Sequence, residues 1–372
     1  MLNKSRLLFI LHTPPPNHGA AKVGEFIVNS KKINNSFECK FIPIKSSDSI
    51  SDIGKVQFKK FFRIIELYLK ILKELIIFRP DKIYFTSSIK SLAFYRDLLL
   101  STLWKIYSKF KKCDIYYHYH TKGINEFISK SNKNKILTNF FVKDINIILL
   151  SPMLKKDIEG LSSYKNIYYL PNGVEDNLTE EEFEKSFIKY KKNQINILFL
   201  SNMIKSKGYF DVLLLANELK NENIIFHFAG GWQRDNDREE FFNFIKKNNL
   251  KNIIFHGFVR GKEKKELFLN SHFLIFPTRY PKEAFPLTLC ESLSYGVPII
   301  ASDEGSIPYI IDKNSGVIIK DINTKNLKNA FYEAKKNLLN EETAKYCRKR
   351  YLENFTLEKF EDNLINILKG ER

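Results

Sequence analysis

Cysteine is scarce in this 372-residue chain, which has four: Cys39, Cys113, Cys290 and Cys347. Their wide spacing excludes a disulfide-built scaffold and the cysteine motifs that ligate metals, and it suits buried thiols in a reducing compartment. No uncharged apolar run approaches the roughly 18 residues of a spanning helix, so none is expected. The opening MLNKSRLLFILHTPPP has a basic start and a short apolar run. That run stops at His12 and a proline triplet, with no small-residue cleavage site, so residues 6–11 read as a first strand rather than a signal peptide. Low-complexity tracts and repeats are lacking as well. There is no RNA-binding aromatic motif, zinc finger or clear helix-turn-helix, so nucleic acid is not an expected partner.

What is present is an ordinary globular composition, 44% hydrophobic and 14% aromatic. The length suits two domains of roughly 150 to 200 residues each. The net charge of +18 is unevenly placed. Residues 1–170 hold 29 Lys and Arg against 13 Asp and Glu, and residues 171–372 hold 31 against 29. Compositional drift would affect both halves alike, so a basic N-terminal half points to an anionic lipid surface or an anionic acceptor.

The most informative stretch begins at His272 and reads HFLIFPTRYPKEAFPLTLCESLSYGVPIIASDEGSIPYI. Residues 273–276 read as a buried strand, a polar loop follows, and residues 287–295 carry apolar positions at helical spacing. Pro286 suits a first helical turn, because that position needs no N–H, and the free amides of Leu287, Thr288 and Leu289 then attract phosphate. Glu283 and Glu291 frame this helix end. A bare phosphate site would avoid carboxylates, so their fitting task is to accept hydrogen bonds from sugar hydroxyls beside the phosphate. Together these describe a nucleotide sugar. The plainer alternative is a solvated loop charge at Glu283 and an ordinary helix-surface residue at Glu291.

This segment resembles the retaining family-4 glycosyltransferases of the GT-B fold. Their hallmark is Glu-x7-Glu, then a Gly-x-Pro strand and a small-residue turn. Here it is matched by Glu283, Glu291, Gly296-Val297-Pro298 and Asp303-Glu304-Gly305-Ser306-Ile307-Pro308. The resemblance implies an α/β GT-B fold of two Rossmann-like domains facing a central cleft. Residues 1–175 would bind the acceptor and residues 176–355 the nucleotide sugar, with a C-terminal helix in 356–372 packing back on the N-terminal domain. It also implies that Glu283 contacts the donor sugar, that Glu291 binds the ribose, and that Phe285, Pro286, Leu287 and Thr288 lie along the diphosphate.

Earlier in the chain, Thr13 to Ala21 is a proline-stiffened loop feeding a helix that starts near Ala20, where glycine and alanine let a ligand approach the backbone. A structural βα turn is the alternative. The resemblance places Gly19 and Ala20 beside the donor and His18 beside the acceptor. In residues 58–78, Lys59, Arg63, Glu66, Lys70 and Lys73 share a helical stripe opposite Phe61, Phe62, Ile65, Leu69, Leu72 and Ile76. Two readings stay open: a core-packed helix with a solvated basic face, or an interfacial helix lying on an anionic membrane. Residues 114–120 read as a strand that places His118 and His120 on one face, with His120 at the carboxyl end where open α/β sheets bind ligands. The resemblance gives His120 the transferring sugar and leaves His118 a lesser candidate on the acceptor side.

Pro171-Asn172-Gly173-Val174 looks like the family's hinge, and residues 176–194 read as a charged, solvated linker helix. After the strand 195–200, the family pattern small-Arg-x4-Lys-Gly is met by Lys207 and Gly208, but Asn202 stands in place of the arginine. An amide does not mimic a bidentate guanidinium. That leaves Lys207 on the phosphates, with Lys205 or an N-terminal cation as possible substitutes. Gly257 and Phe258 fall where the family encloses the base. Asp235-Asn236-Asp237 resembles a metal-binding Asp-x-Asp, but flanking Arg234 and Arg238 and a helix start favour a dipole role. The family's donor phosphate takes the acceptor proton, so no protein base need be found, and the resemblance implies no metal or cofactor. The partners implied are a nucleotide sugar and a glycan or lipid-linked acceptor of bacterial surface polysaccharide synthesis, at the cytoplasmic face of a membrane. Competing readings are a glycosidase using Glu283 and Glu291, a GT-B epimerase or phosphorylase, and a basic membrane- or nucleic-acid-binding module with an inactive cleft.

Overall fold

The continuous apolar runs of the sequence become parallel strands buried on both faces, as sheets flanked by helices on each side require. The computed structural model describes residues 4–15, 19–44 and 58–371. The chain divides into two compact units, one of residues 1–172 with 357–372, the other of residues 173–356.

The first unit runs β1 (Arg6–Leu11), α1 (Gly19–Asn29), α2 (Lys31–Ser36), β2 (Glu38–Pro43), α3 (Phe58–Ile77), β3 (Lys82–Ser87), α4 (Ser91–Phe110), β4 (Asp114–Tyr119), α5 (Ile124–Ser129), α6 (Asn132–Val142), β5 (Asn146–Leu149) and β6 (Asn166–Tyr169). Its sheet is parallel, in the order β2-β1-β3-β4-β5-β6. One face packs Leu7, Phe9, Leu11, Tyr84, Tyr116 and Ile148 against α1, α2 and the last helix of the chain. On the other face Phe85 and Tyr117 meet Trp104 of α4, and Tyr117 meets Phe141 of α6.

The core face of α3 differs from the expected one. Leu67, Ile71 and Leu75 are buried, followed by Phe78 just beyond the helix, whereas Phe62, Ile65, Leu69 and Ile76 are exposed. Both faces of this helix are apolar, so periodicity alone did not choose between them.

The second unit runs α7 (Glu180–Lys185), β7 (Ile195–Leu200), α8 (Tyr209–Glu218), β8 (Ile224–Ala229), α9 (Asp235–Lys247), β9 (Ile253–Gly257), α10 (Gly261–Asn270), β10 (Phe273–Phe276), α11 (Leu287–Ser294), β11 (Ile299–Ser302), α12 (Ile307–Ile310), β12 (Gly316–Ile319), α13 (Thr324–Asn337) and α14 (Glu341–Asn354). The sheet order is β12-β11-β10-β7-β8-β9, all parallel. From β7 the chain moves to β8 on one side and returns to β10 on the other. The β7/β10 boundary is therefore the switch point where open α/β sheets hold ligands.

The stretch expected as a solvated linker helix is instead α7 followed by a 3-10 turn, Ser186–Lys191, and it buries Phe183, Ser186 and Lys189. Thr179 and Glu182 form a capping box that starts α7. The last helix, α15 (Leu357–Lys369), belongs to the first unit. There Phe360, Leu364 and Leu368 join the core, and Lys32 of α2 pairs with Asp362 at 2.5 Å.

Candidate active site

Two loops leave the carboxyl ends of β7 and β10 at the switch point, and each carries one of the predicted charges. Lys207 lies at the end of a 3-10 turn, Lys205–Lys207, after β7. The following Gly208 has φ 87°, and a Cβ there would sit 2.3 Å from the Pro277 carbonyl oxygen. Only glycine lets the first loop lie on the second this closely. Arg279 N–H donates to the Ser206 carbonyl at 2.7 Å, which ties the loops together.

The result is an ion pair between Lys207 Nζ and Glu283 Oε2, with side chains 14% and 8% exposed. Burying two charges costs desolvation that only close pairing and further hydrogen bonds offset. Lys207 Nζ also lies 4.6 Å from the Tyr280 ring centroid and 5.5 Å from that of Phe276. Burial, with the Glu283 charge adding to it, raises the pKa of the Tyr280 phenol, so the ring stays neutral. An ammonium has three N–H donors, so its bond to Glu283 leaves two for another acceptor.

Glu283 is held from beneath. Gly305, at φ 56°, would place a Cβ 2.2 Å from the Glu283 carbonyl oxygen, and Ser306 N–H donates to Ala284 at 2.8 Å. Sequence reasoning had placed Gly305 in the segment without a task; its signal was a glycine in a small-residue turn.

Phe285 and Pro286 are buried, and α11 begins at Leu287. Pro286 is the cap residue rather than the first helical residue, with φ −72° and ψ 114°. No side chain caps this end. Leu289 N–H bonds the Pro286 carbonyl at 3.1 Å, so it drops out of the expected set of three amides and leaves those of Leu287 and Thr288. Glu291, one turn along, pairs with Lys264 of α10 at 2.6 Å. That contact joins separate helices and had no signal in the sequence.

Asn202 is exposed beyond β7. Lys205, a suggested substitute for the missing arginine, pairs with Glu240 at 2.5 Å. Arg279 is held by Asp211 at 2.7 and 3.0 Å. At the end of β9, Gly257 has φ 71° and its carbonyl accepts from Gly230 N–H at 2.7 Å, while the ring of Phe258 is 68% exposed. Asp235 and Asp237 fall in the first turn of α9. Among the described residues, no group of three or more His, Cys, Asp or Glu is placed to hold a metal ion.

In the first unit Gly19 opens α1, exposed, and a Cβ there would meet nothing within 4 Å. Ala20 beside it is partly buried. His18 lies outside the described residues. His120 falls just past β4, and its ring centroid is 4.0 Å from that of His118. His118 corrects the expectation of acceptor contact: it is fully buried and its Nδ1 shares a 2.5 Å hydrogen bond with Tyr84 Oη. Burial holds its pKa well below the usual range, so the ring is neutral. It supports His120 from below. The helix end after it is already filled, because Gly123, Ile124 and Asn125 donate their amides to the Asp157 carboxylate at 2.8 to 3.2 Å.

Two parallel α/β units, with charged loops at the switch point of the second, have the GT-B fold. A Streptococcus pneumoniae alpha-galactosylglucosyldiacylglycerol synthase is 27% identical over 198 residues, 50% of this chain and 52% of that protein. An Escherichia coli O-antigen chain mannosyltransferase C is 25% identical over 231 residues, 59% of each. The chain thus spans about half to three-fifths of the length of these two relatives. An Anabaena protein solved in complex with UDP-glucose superposes with a TM-score of 0.69 over 98% of this chain and 99% of its own, at 13% identity. Residues 179–351 match the family described as Glycosyl transferases group 1.

Proposed function

We propose that this protein is a retaining glycosyltransferase that moves a sugar from a nucleotide-sugar donor to a glycan or lipid-linked glycan acceptor of a bacterial surface. The observation that carries this reading is the buried Lys207–Glu283 pair at the β7/β10 switch point, next to the uncapped start of α11. The diphosphate would take the Leu287 and Thr288 amides and the two remaining N–H groups of Lys207, so that charge developing on the leaving group meets preorganised donors. Glu283 would accept from a sugar hydroxyl and Glu291 from the ribose, with Phe258 against the base.

In the first unit, His120 would contact a sugar, Gly19 and Ala20 would lie open to a ligand, and the basic surface would receive the acceptor. The donor phosphate itself takes the acceptor proton as the new glycosidic bond forms. No protein base, metal or cofactor then enters the reaction. The group 1 domain and the relatives named above, a glycolipid synthase and an O-antigen mannosyltransferase, support this class of reaction and acceptor.

Thermal unfolding in the presence of UDP-, GDP- and ADP-sugars tests the donor reading. One nucleotide class is expected to raise the melting temperature in wild type and to lose that effect in Lys207→Ala. No shift with any nucleotide sugar would contradict it.

A further inference from the structure

The helices α3, α4 and α6 line one side of the first sheet, and each presents a row of apolar side chains to solvent. On α3 the row is Phe62, Ile65, Leu69 and Ile76; on α4 it is Leu92, Tyr95, Leu99 and Ile106, with Phe110 at the end. The two rows have the same spacing, i, i+3, i+7, i+14, which at 3.6 residues per turn keeps each within one narrow sector of its helix. Ile136 and Phe140 add one turn on α6. These are not marginal exposures: Phe62 is 67% exposed, Ile106 55% and Ile136 67%. Each helix buries a different face, through Leu67, Ile71 and Leu75 on α3 and Phe94, Leu100 and Trp104 on α4. The outer rows are therefore surplus to the core. Isolated exposed apolar residues need no explanation, but neighbouring helices that each carry several do.

Charge selects the occupant. The three helices hold ten Lys and Arg against three acidic residues. On α3, Arg63, Lys70 and Lys73 flank the apolar row on one side, with Glu66 among them paired to Lys70 at 2.5 Å, so the flank keeps a net positive charge. An apolar row edged by basic residues is how a helix lies in the boundary between headgroups and acyl chains of an anionic bilayer. A second copy of the chain would bring the same positive face against itself, and like charges oppose that contact. Among the described residues no helix is long and apolar enough to cross a membrane. The contact would therefore be peripheral.

We infer that the α3–α4–α6 layer docks the first unit on an anionic lipid leaflet, with the apolar rows inserted and the flanking lysines and arginines at the phosphates. This goes beyond the assignment of a lipid-linked acceptor and does not depend on it, because binding is read without turnover.

The test is sedimentation of the full chain with vesicles of equal phosphatidylglycerol and phosphatidylcholine, or of phosphatidylcholine alone. Wild type should pellet with the anionic vesicles. Binding should weaken at least about tenfold in Phe62→Ser/Leu69→Ser/Ile106→Ser/Ile136→Ser, which changes exposed positions only. Arg63→Glu/Lys70→Glu/Lys73→Glu should weaken anionic binding and leave the small neutral-vesicle signal in place. Circular dichroism and nucleotide-induced thermal shifts of both variants should match wild type, showing that the fold and the donor site are intact. Wild type that stays in the supernatant, or a serine variant that binds as wild type does, would overturn the proposal. So would a wild-type dimer in sedimentation velocity that the serine variant dissolves without any effect on lipid binding, which would assign the face to a second copy.

Discussion

Lys207 and Glu283, 76 positions apart in sequence, form a buried ion pair on two loops that a single glycine allows to touch. Breaking one side leaves the other charge buried and unpaired. Lys207→Ala and Glu283→Ala are each expected to lower unfolding free energy by about 3 kcal/mol. The neutral double variant Lys207→Met/Glu283→Gln should fall within about 1 kcal/mol of wild type, because a buried pair replaced by uncharged groups of similar volume is nearly neutral. Urea unfolding of the three variants checks this. Equal losses in singles and double would mean that the pair is not coupled.

Gly305 supports the Glu283 backbone. Gly305→Ala forces a Cβ to within 2.2 Å of the Glu283 carbonyl oxygen at a positive φ. Destabilisation of about 1 to 3 kcal/mol is expected, with turnover falling at least about tenfold as the carboxylate shifts. Chemical denaturation and initial-rate kinetics measure the two effects. A fully active variant would show that the turn does not position Glu283.

Lys189 gives a pH-dependent stability. The residue is 3% exposed, and among the described residues its Nζ has no hydrogen-bond partner, while the Tyr190 ring centroid lies 5.4 Å away. Burial lowers its pKa from 10.5 to about 7. Between those values the unfolded chain holds a proton that the folded protein does not, so this group makes stability rise with pH from about 7 to 10.5. Lys189→Met is expected to be more stable than wild type by about 1 to 3 kcal/mol near neutral pH. That advantage should shrink as pH climbs through the window. Parallel unfolding curves for the two proteins at pH 7 and pH 9.5 would contradict this account.

If the amides and Lys207 supply the charge stabilisation as proposed, the transfer is expected to keep the donor's anomeric configuration and EDTA to leave the rate unchanged within about twofold. The anomeric proton coupling of the product by NMR, and rates with and without chelator, check both.

Legibility followed burial. The strands 195–200, 224–229 and 273–276 stand where their apolar runs lie, because a buried parallel strand writes itself as an unbroken run. The edge strand β2, ECKFIP, alternates exposed and covered positions and gave no such run. On α3 two apolar faces competed, and periodicity alone left the buried one open. The Glu283 and Lys207 loops were visible as motifs, the first as Glu-x7-Glu around a helix start and the second as Lys-Gly after a strand. The Lys264–Glu291 pair was not, because it is fixed by how α10 and α11 pack. His118 was read as a ligand-facing residue, but strand alternation gives a shared face and not a depth, and depth decides its role.

The central claim is that a nucleotide sugar reacts at the Lys207–Glu283 pair. Its most direct measurement is nucleoside diphosphate release, with a lipid-linked glycan acceptor present, from the donor class that stabilises the protein. Wild type should release it in an acceptor-dependent way. Glu283→Gln and Lys207→Ala should each lose on the order of 10² or more in rate, with circular dichroism unchanged. Near wild-type release by both variants would contradict the account.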